Sequence, residues 1–299
     1  MERWPPLRYA DWADTAQTLH MWLQIAGKIR MTNTPPVNHS WHVTLYVSSR
    51  GLTTSPMMSD HGLFEIEFDF IDHRLIIRTS EGEQRSFPLQ PMTVADFYER
   101  VMSALRELNL RVKINPRPNE VESPIPFPED TTHRSYDAEA ACRFWRALVD
   151  STRVMSAFRS KYVGKVSPIH FFWGALDLAV TRFSGRTAPL HPGAPGLPLS
   201  VAQEAYSHEV CSAGFWPGGN GADAAFYAYA YPEPPRFADA RVKSAAAFYS
   251  KELREFLLPY EAVRTAPDPD AALMEFLQST YEAAAELAEW DRTALERDA

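Results

Sequence analysis

The chain has little of what most often discloses a protein's chemistry. Its 299 residues include two cysteines, Cys142 and Cys211. Two cannot build a disulfide framework or a cysteine-type zinc site, so both are expected to be small core residues in a reducing compartment. No apolar run approaches the roughly 18 residues that cross a bilayer, so no membrane-spanning helix is expected. The opening MERWPPLRYADWADT lacks an apolar signal-peptide region, and the expected location is cytoplasmic. Basic residues do not prevail: 30 Lys and Arg face 38 Asp and Glu, a net charge of −8. That is the wrong sign for a chain that grips nucleic acid by its phosphates. GxGxxG after a strand, a P-loop, HExxH, HxxxH and GxSxG are all missing, which leaves no cofactor or nucleophile signature.

What the chain does have is a globular composition, with 45% hydrophobic and 23% charged residues and eight Trp. Its length suits two domains or a duplicated unit, and the sequence offers a duplication. GKIRMTNTPPVNHSWHVTLYVSSRG from Gly27 parallels GKVSPIHFFWGALDLAVTRFSG from Gly164 once six residues of the first loop are skipped. Gly27-Lys28 then falls on Gly164-Lys165, His39 on His170, Trp41 on Phe172 and Leu45 on Leu176. VADFYERVMSALREL from Val94 parallels AAAFYSKELREFLL from Ala245. The expected fold is α+β: two tandem helix, antiparallel sheet, helix units related by a pseudo-two-fold, with an extra C-terminal helix. Residues 1–114 form the first unit, 115–136 a linker with five Pro, and 137–299 the second unit.

Periodicity fills in the elements. Helical spacing runs from about Asp11 to Arg30 and stops at Pro35-Pro36. Residues 41–48 alternate as a half-buried strand, with His42, Thr44, Tyr46 and Ser48 on one face. Phe64–Phe70 alternates too, which places Glu65, Glu67 and Asp69 on a solvated face. Thr93 caps a helix to about Leu108, and Asp137 caps the next. A strand is expected from His170 to Val180, then a Pro/Gly loop over 185–199. YSHEVCSAGF and AAFYAYAY read as strands joined at Pro217–Gly221. Lys243 to Leu258 reads as a helix, and 270–289 as a last amphipathic one.

The segments PPVNHSWHVTLYVSSRGLTTSP, FEIEFDFIDHRL, SPIHFFWGALDLAVTRFSGR, YSHEVCSAGFWPGG and FYAYAYPEP together resemble a bacterial family classed as a domain of unknown function. The resemblance runs from Trp4 to about Trp290. It implies that the length is one evolutionary unit and assigns no catalytic residue, so function must be argued from the side chains.

Polar residues on strands are the most suggestive feature. His42, His170 and His208 are acid/base candidates, with Asp177 as an orienting carboxylate. Arg50 and Arg182, read at strand ends, could fork to an anion. Tyr46, Trp173, Tyr227 and Tyr229 would wall a polar aromatic pocket, with Ala228 and Ala230 packed tightly behind the tyrosine row. The expected function is acid/base chemistry of hydrolase or lyase type, without a cofactor, on a small polar or aromatic molecule in a cleft between the units. Two alternatives stay open. One is a single Fe, Mn or Zn ion held by His39, His170, His208 and Glu209 from an irregular strand. The other is a protein that binds a small ligand without turning it over. Neither nucleic acid nor membrane is an expected partner, and a monomer or a homodimer is compatible with the eight Trp and the last helix.

Overall fold

Alternating apolar residues build two antiparallel sheets, and helices with apolar stripes cover them. The computed structural model describes residues 3–193 and 197–297. The first sheet contains β1 (Tyr46–Val47), β2 (Gly51–Thr53), β3 (Met57–Ser59), β4 (Gly62–Asp69), β5 (Arg74–Thr79) and β6 (Gln84–Pro88), in the order β1-β2-β4-β5-β6 with β3 also paired to β4. The second contains β7 (His170–Phe172), β8 (Asp177–Thr187), β9 (His208–Gly219), β10 (Ala222–Tyr231), β11 (Phe248–Ser250) and β12 (Glu255–Pro259), in the order β11-β12-β10-β9-β8-β7. The sheets meet where Leu45 and Phe171 exchange backbone hydrogen bonds of 2.9 and 2.8 Å.

Seven α-helices lie among the described residues: α1 (Ala13–Thr32), α2 (Val94–Glu107), α3 (Ala138–Ser160), α4 (Leu199–Ala205), α5 (Tyr260–Arg264), α6 (Pro269–Leu287) and α7 (Arg292–Leu295). The expected caps are present. Thr93 accepts from the Asp96 amide, and Asp137 from those of Glu139 and Ala140. α1 is buried on almost every side, as its lack of a polar stripe requires, and stacks Trp22 on Phe97 of α2 at 4.6 Å. One apolar core runs through both halves. Residues 115–136 are irregular apart from a 3-10 turn at Phe127–Glu129, as their prolines imply.

Several expectations are corrected. Residues 41–48 keep only Tyr46–Val47 as strand, because the chain before them turns with His39 and Ser40 at φ 58°. The expected strand 170–180 is a hairpin, with β7 and β8 joined at Trp173–Leu176. Residues 243–258 form the β11–β12 hairpin and not a helix. Phe256 and Leu258 are buried at a spacing of two, so pairing with β10 overrides the helix-favouring Lys, Glu and Leu. β8 extends to Thr187, three residues into the expected loop 185–199, α4 begins at Leu199, and positions 194–196 lie outside the described residues. Glu67 and Asp69 are buried and not solvated: Arg78 and Ser48 bind Glu67, and Arg50 binds Asp69 at 2.5 Å.

The order helix, antiparallel sheet, helix recurs in both halves, but the expected residue equivalences do not. Gly27-Lys28 lies within α1, whereas Gly164-Lys165 follows the end of α3. The block at Val94 is helix, while its expected counterpart at Ala245 leads into strands.

Candidate active site

The second sheet has two faces that differ sharply. Leu178, Val180, Cys211, Ala213, Phe215, Phe226 and Ala228 form the helix-covered face and are buried. Alternation puts Asp177, Ala179, Thr181, Ser212, Gly214, Tyr227, Tyr229 and Glu255 on the other.

Asp177 on β8 and Tyr227 on β10 are separated by β9, yet the Tyr227 phenol donates to Asp177 Oδ2. Gly214, opposite both Ala179 and Tyr227, makes that reach possible. A Cβ there would lie 2.3 Å from Tyr227 Cζ and Oη. A glycine inside a strand signals this kind of close approach. Tyr229 stacks beside Tyr227, with ring centroids 6.2 Å apart, and its hydroxyl lies 3.0 Å from that of Tyr206, just past α4. His191 stacks on Tyr206 at 4.4 Å. Tyr206, Tyr229 and His191, with Glu233, Arg254 and Glu255, line a cleft of about 230 Å³, and the Asp177–Tyr227 pair lies outside that lining on the same sheet face.

A second set of contacts fixes the edge of the site. His20, Gln24 and Lys28 recur every four residues on α1, so they project from one side of it. His20 Nε2 donates to the Gly174 carbonyl at 2.8 Å. Gln24 both accepts from the Asn119 amide and donates to its carbonyl, each at 2.8 Å, and Lys28 Nζ reaches Asn119 Oδ1 at 2.7 Å. These bonds set the next residue, Glu120, over Gly174, where a Cβ would stand 1.9 Å from its carboxylate. Trp173 is the other anchor. Its indole donates to the Val43 carbonyl at 2.8 Å and its ring fills the space left by Gly27.

Removal of water is the main electrostatic force in this region. Desolvation pushes the half-buried Asp177 carboxyl up to about 6, against the opposing hydrogen bond from Tyr227. Glu255 rises to about 7 through desolvation and then the Asp177 charge, and Glu120 is raised by the same two causes. Tyr227 and Tyr229 are held well above the ordinary phenol value by desolvation, with Asp177 and Tyr206 as the next causes respectively. Both phenols therefore stay protonated at neutral pH. Arg254, the cation nearest in sequence, is bound to Glu233 at 3.2 Å.

The other candidates lie apart from this cleft. At one end of the open face, His39 donates from Nδ1 to the Ala205 carbonyl at 3.0 Å and accepts at Nε2 from Lys165 at 2.8 Å. His208 meets its edge at 6.2 Å and bonds Ser207 Oγ at 3.0 Å. His170 is buried beside Trp41 and Phe172, with Nδ1 unpartnered, and desolvation pushes it down to about 3. It is neutral at physiological pH.

Glu209 is on the opposite face, bound by Ser184 and Arg186 at 2.8 and 2.7 Å. His39, His170, His208 and Glu209 therefore do not converge as one ligand set. Among the described residues no group of three or more His, Cys, Asp or Glu could hold a metal ion. Arg182 lies within β8 and not at a strand end. Its guanidinium is buried on the helix side, 3.5 Å from the Phe158 ring centroid and 4.2 Å from that of Tyr281. His42 accepts from the Val37 amide at 3.2 Å, Arg50 pairs with Asp69 and Asp72, and Tyr46 lies under Arg30.

Of the expected site residues, Tyr229 lines the cleft, and Asp177 and Tyr227 bond each other on the same sheet face, with Tyr227 stacked beside Tyr229. Sequence reasoning missed Glu255, which was read inside a helix, and Glu120, Tyr206 and His191, which stand in irregular segments. Gly214 carried a usable signal as a glycine in the middle of a strand, away from the turn glycines Gly218 and Gly219.

The chain matches the model of a family of unknown function (DUF5996) over residues 4–297, and it belongs to that family. No curated protein and no solved structure matches it.

Proposed function

We propose that this DUF5996 protein is an enzyme that performs acid/base chemistry of hydrolase or lyase type on a small molecule in the open-face cleft of the second sheet. Asp177 and Glu255 are the proton-transfer groups. A general acid or base works best with a pKa near the working pH, and these two carboxyls stand at about 6 and about 7. Tyr227 orients Asp177, and Tyr206, Tyr229 and His191 wall the ligand. The observation that carries this reading is a desolvated carboxyl, Glu255, in an aromatic-lined cleft, electrostatically coupled to a second desolvated carboxyl, Asp177, on the same sheet face. Perturbed titration clusters at functional sites, where burial and like charges tune proton-transfer groups.

The test is consumption of small molecules. Pools of polar metabolites are incubated with the intact protein and with Asp177→Asn and followed by mass spectrometry. Loss of a compound with the wild type, and not with the folded variant, supports the reading. If a compound binds the cleft in a form that both proteins leave intact, the protein is a ligand-binding one and the catalytic reading falls.

A further inference from the structure

We propose that the ligand of this cleft is an organic cation, with an ammonium group seated against Glu255 and framed by the rings of Tyr206 and Tyr229. The proposal rests on the acid/base reading of the same cleft and names its substrate class.

Charge balance is the first argument. Asp177 and Glu255 each lose water, and Glu120 adds a third carboxyl beside Asp177. A desolvated carboxylate without a counter-charge is costly, and protein interiors normally supply one. Here the available cation is committed elsewhere, because Arg254 bonds Glu233, which also accepts from the Tyr249 hydroxyl at 2.8 Å. An anionic ligand would add to the repulsion. A cationic one removes it, and draws both carboxyls back toward the ionised state.

The aromatic lining is an independent second argument. Tyr206 lies between His191 at 4.4 Å and Tyr229 at 6.2 Å, so a group entering the cleft meets ring surfaces as well as carboxyls. Ring faces attract cations, and do so most strongly where water is excluded. The phenols stay neutral, desolvation lowers His191, and Arg254, the arginine of the wall, is neutralised by its bond to Glu233.

Size and donor set then choose between kinds of cation. About 230 Å³ is below the usual range for drug-sized ligands, which points to a small molecule. No group of three or more suitable side chains among the described residues could hold a metal ion, whereas an ammonium group needs only the carboxyls and the rings.

Isothermal titration of the intact protein at pH 8 with benzylammonium chloride, benzyl alcohol and sodium benzoate tests this. These probes share a ring and differ in charge. Benzylammonium is expected to bind at least about tenfold more tightly than benzyl alcohol, with benzoate weakest. Its affinity should fall as pH drops below 6, where Asp177 and Glu255 are protonated, and its binding near pH 6.5 should release protons. Glu255→Gln should lose about tenfold for benzylammonium and little for benzyl alcohol. The pH series on the wild type gives the same answer if that variant does not fold. Equal binding of the alcohol, or tighter binding of benzoate, overturns the cationic class and leaves the acid/base reading standing. No binding of any probe, with Tyr206 and Tyr229 ring resonances unmoved, overturns both.

Discussion

Asp177→Asn should stabilise the protein at pH 8 and lose most of that advantage at pH 4. The Asp177 carboxyl titrates at about 6 in the fold, against 3.8 for an ordinary Asp. A raised carboxyl releases its proton from the unfolded chain first, so it weakens the fold as pH climbs from about 4 to about 6 and by a constant amount above that. Each pKa unit is worth about 1.4 kcal/mol, so the shift amounts to about 3 kcal/mol at most. Coupling to Glu255 shares part of it, and about 1–3 kcal/mol is the expectation for this residue alone. Asn keeps an oxygen to accept from Tyr227 and carries no charge to desolvate. Half-buried His20 and buried His170, lowered to about 4 and about 3, push the other way by favouring the fold as pH rises toward 6.5. The wild-type pH curve is therefore a mixture, and the difference between variant and wild type isolates Asp177. Urea unfolding at pH 4 and pH 8 measures it, and a melting-temperature rise of several degrees at pH 8 should accompany it, at about 2–4 °C per kcal/mol for a chain of this order of size. A variant equally destabilised at both pH values would refute the reasoning.

Three further outcomes are expected. Gly214→Ala brings a Cβ to 2.3 Å from Tyr227 and 2.4 Å from the Leu178 carbonyl, so it should cost about 1–3 kcal/mol or more in urea unfolding. Unchanged stability would show that β9 tolerates a side chain there. Tyr227→Phe removes a donor that holds the Asp177 pKa down, so that pKa should move further up in a carboxyl-carbon NMR titration, and a fall would contradict the assigned hydrogen bond. Asp270, in the first turn of α6, accepts from the Trp4 indole and from Arg3 and Arg153, which hold its carboxyl well below the ordinary value. Its stabilisation is present above pH 4 and lost as pH falls through the folded value, so Asp270→Asn should cost about 1 kcal/mol at pH 7, after allowance for partial exposure, and less at pH 2.5.

The long, strongly patterned elements were legible in the sequence because their signals are local. α1, α2 and α6 followed from apolar spacing and from punctuation such as Pro35-Pro36, Thr93 and Pro269. β9 and β10 followed from alternation, and their turn at Asn220-Gly221, with φ of 49° and 85°, is the hairpin type that this pair favours. What failed was decided at a distance. The turn at Trp173–Leu176 interrupts a run that alternates well, because Trp173 docks on Gly27 and His20 binds Gly174. The β11–β12 hairpin carries helix-forming residues, and only the free edge of β10 makes it strand. That misreading hid Glu255 inside a helix. The shared face of Asp177, Tyr227 and Tyr229 was legible because strand alternation alone sets it. The surroundings of the histidines were not legible: residue type suggests chemistry, while the rings of His39 and His208 bond Ala205, Lys165 and Ser207 and that of His170 packs against Trp41.

The central claim is that two coupled carboxyls on the open face of the second sheet titrate near neutrality, and a carboxyl-carbon NMR titration of the intact protein measures this most directly. Asp177→Asn and Glu255→Gln supply the assignments. The account expects the pair to titrate with apparent values near 6 and near 7, each variant removing one step and lowering the other, since the two charges repel. Two carboxyls that both titrate near 4, indifferent to each other's removal, would contradict it.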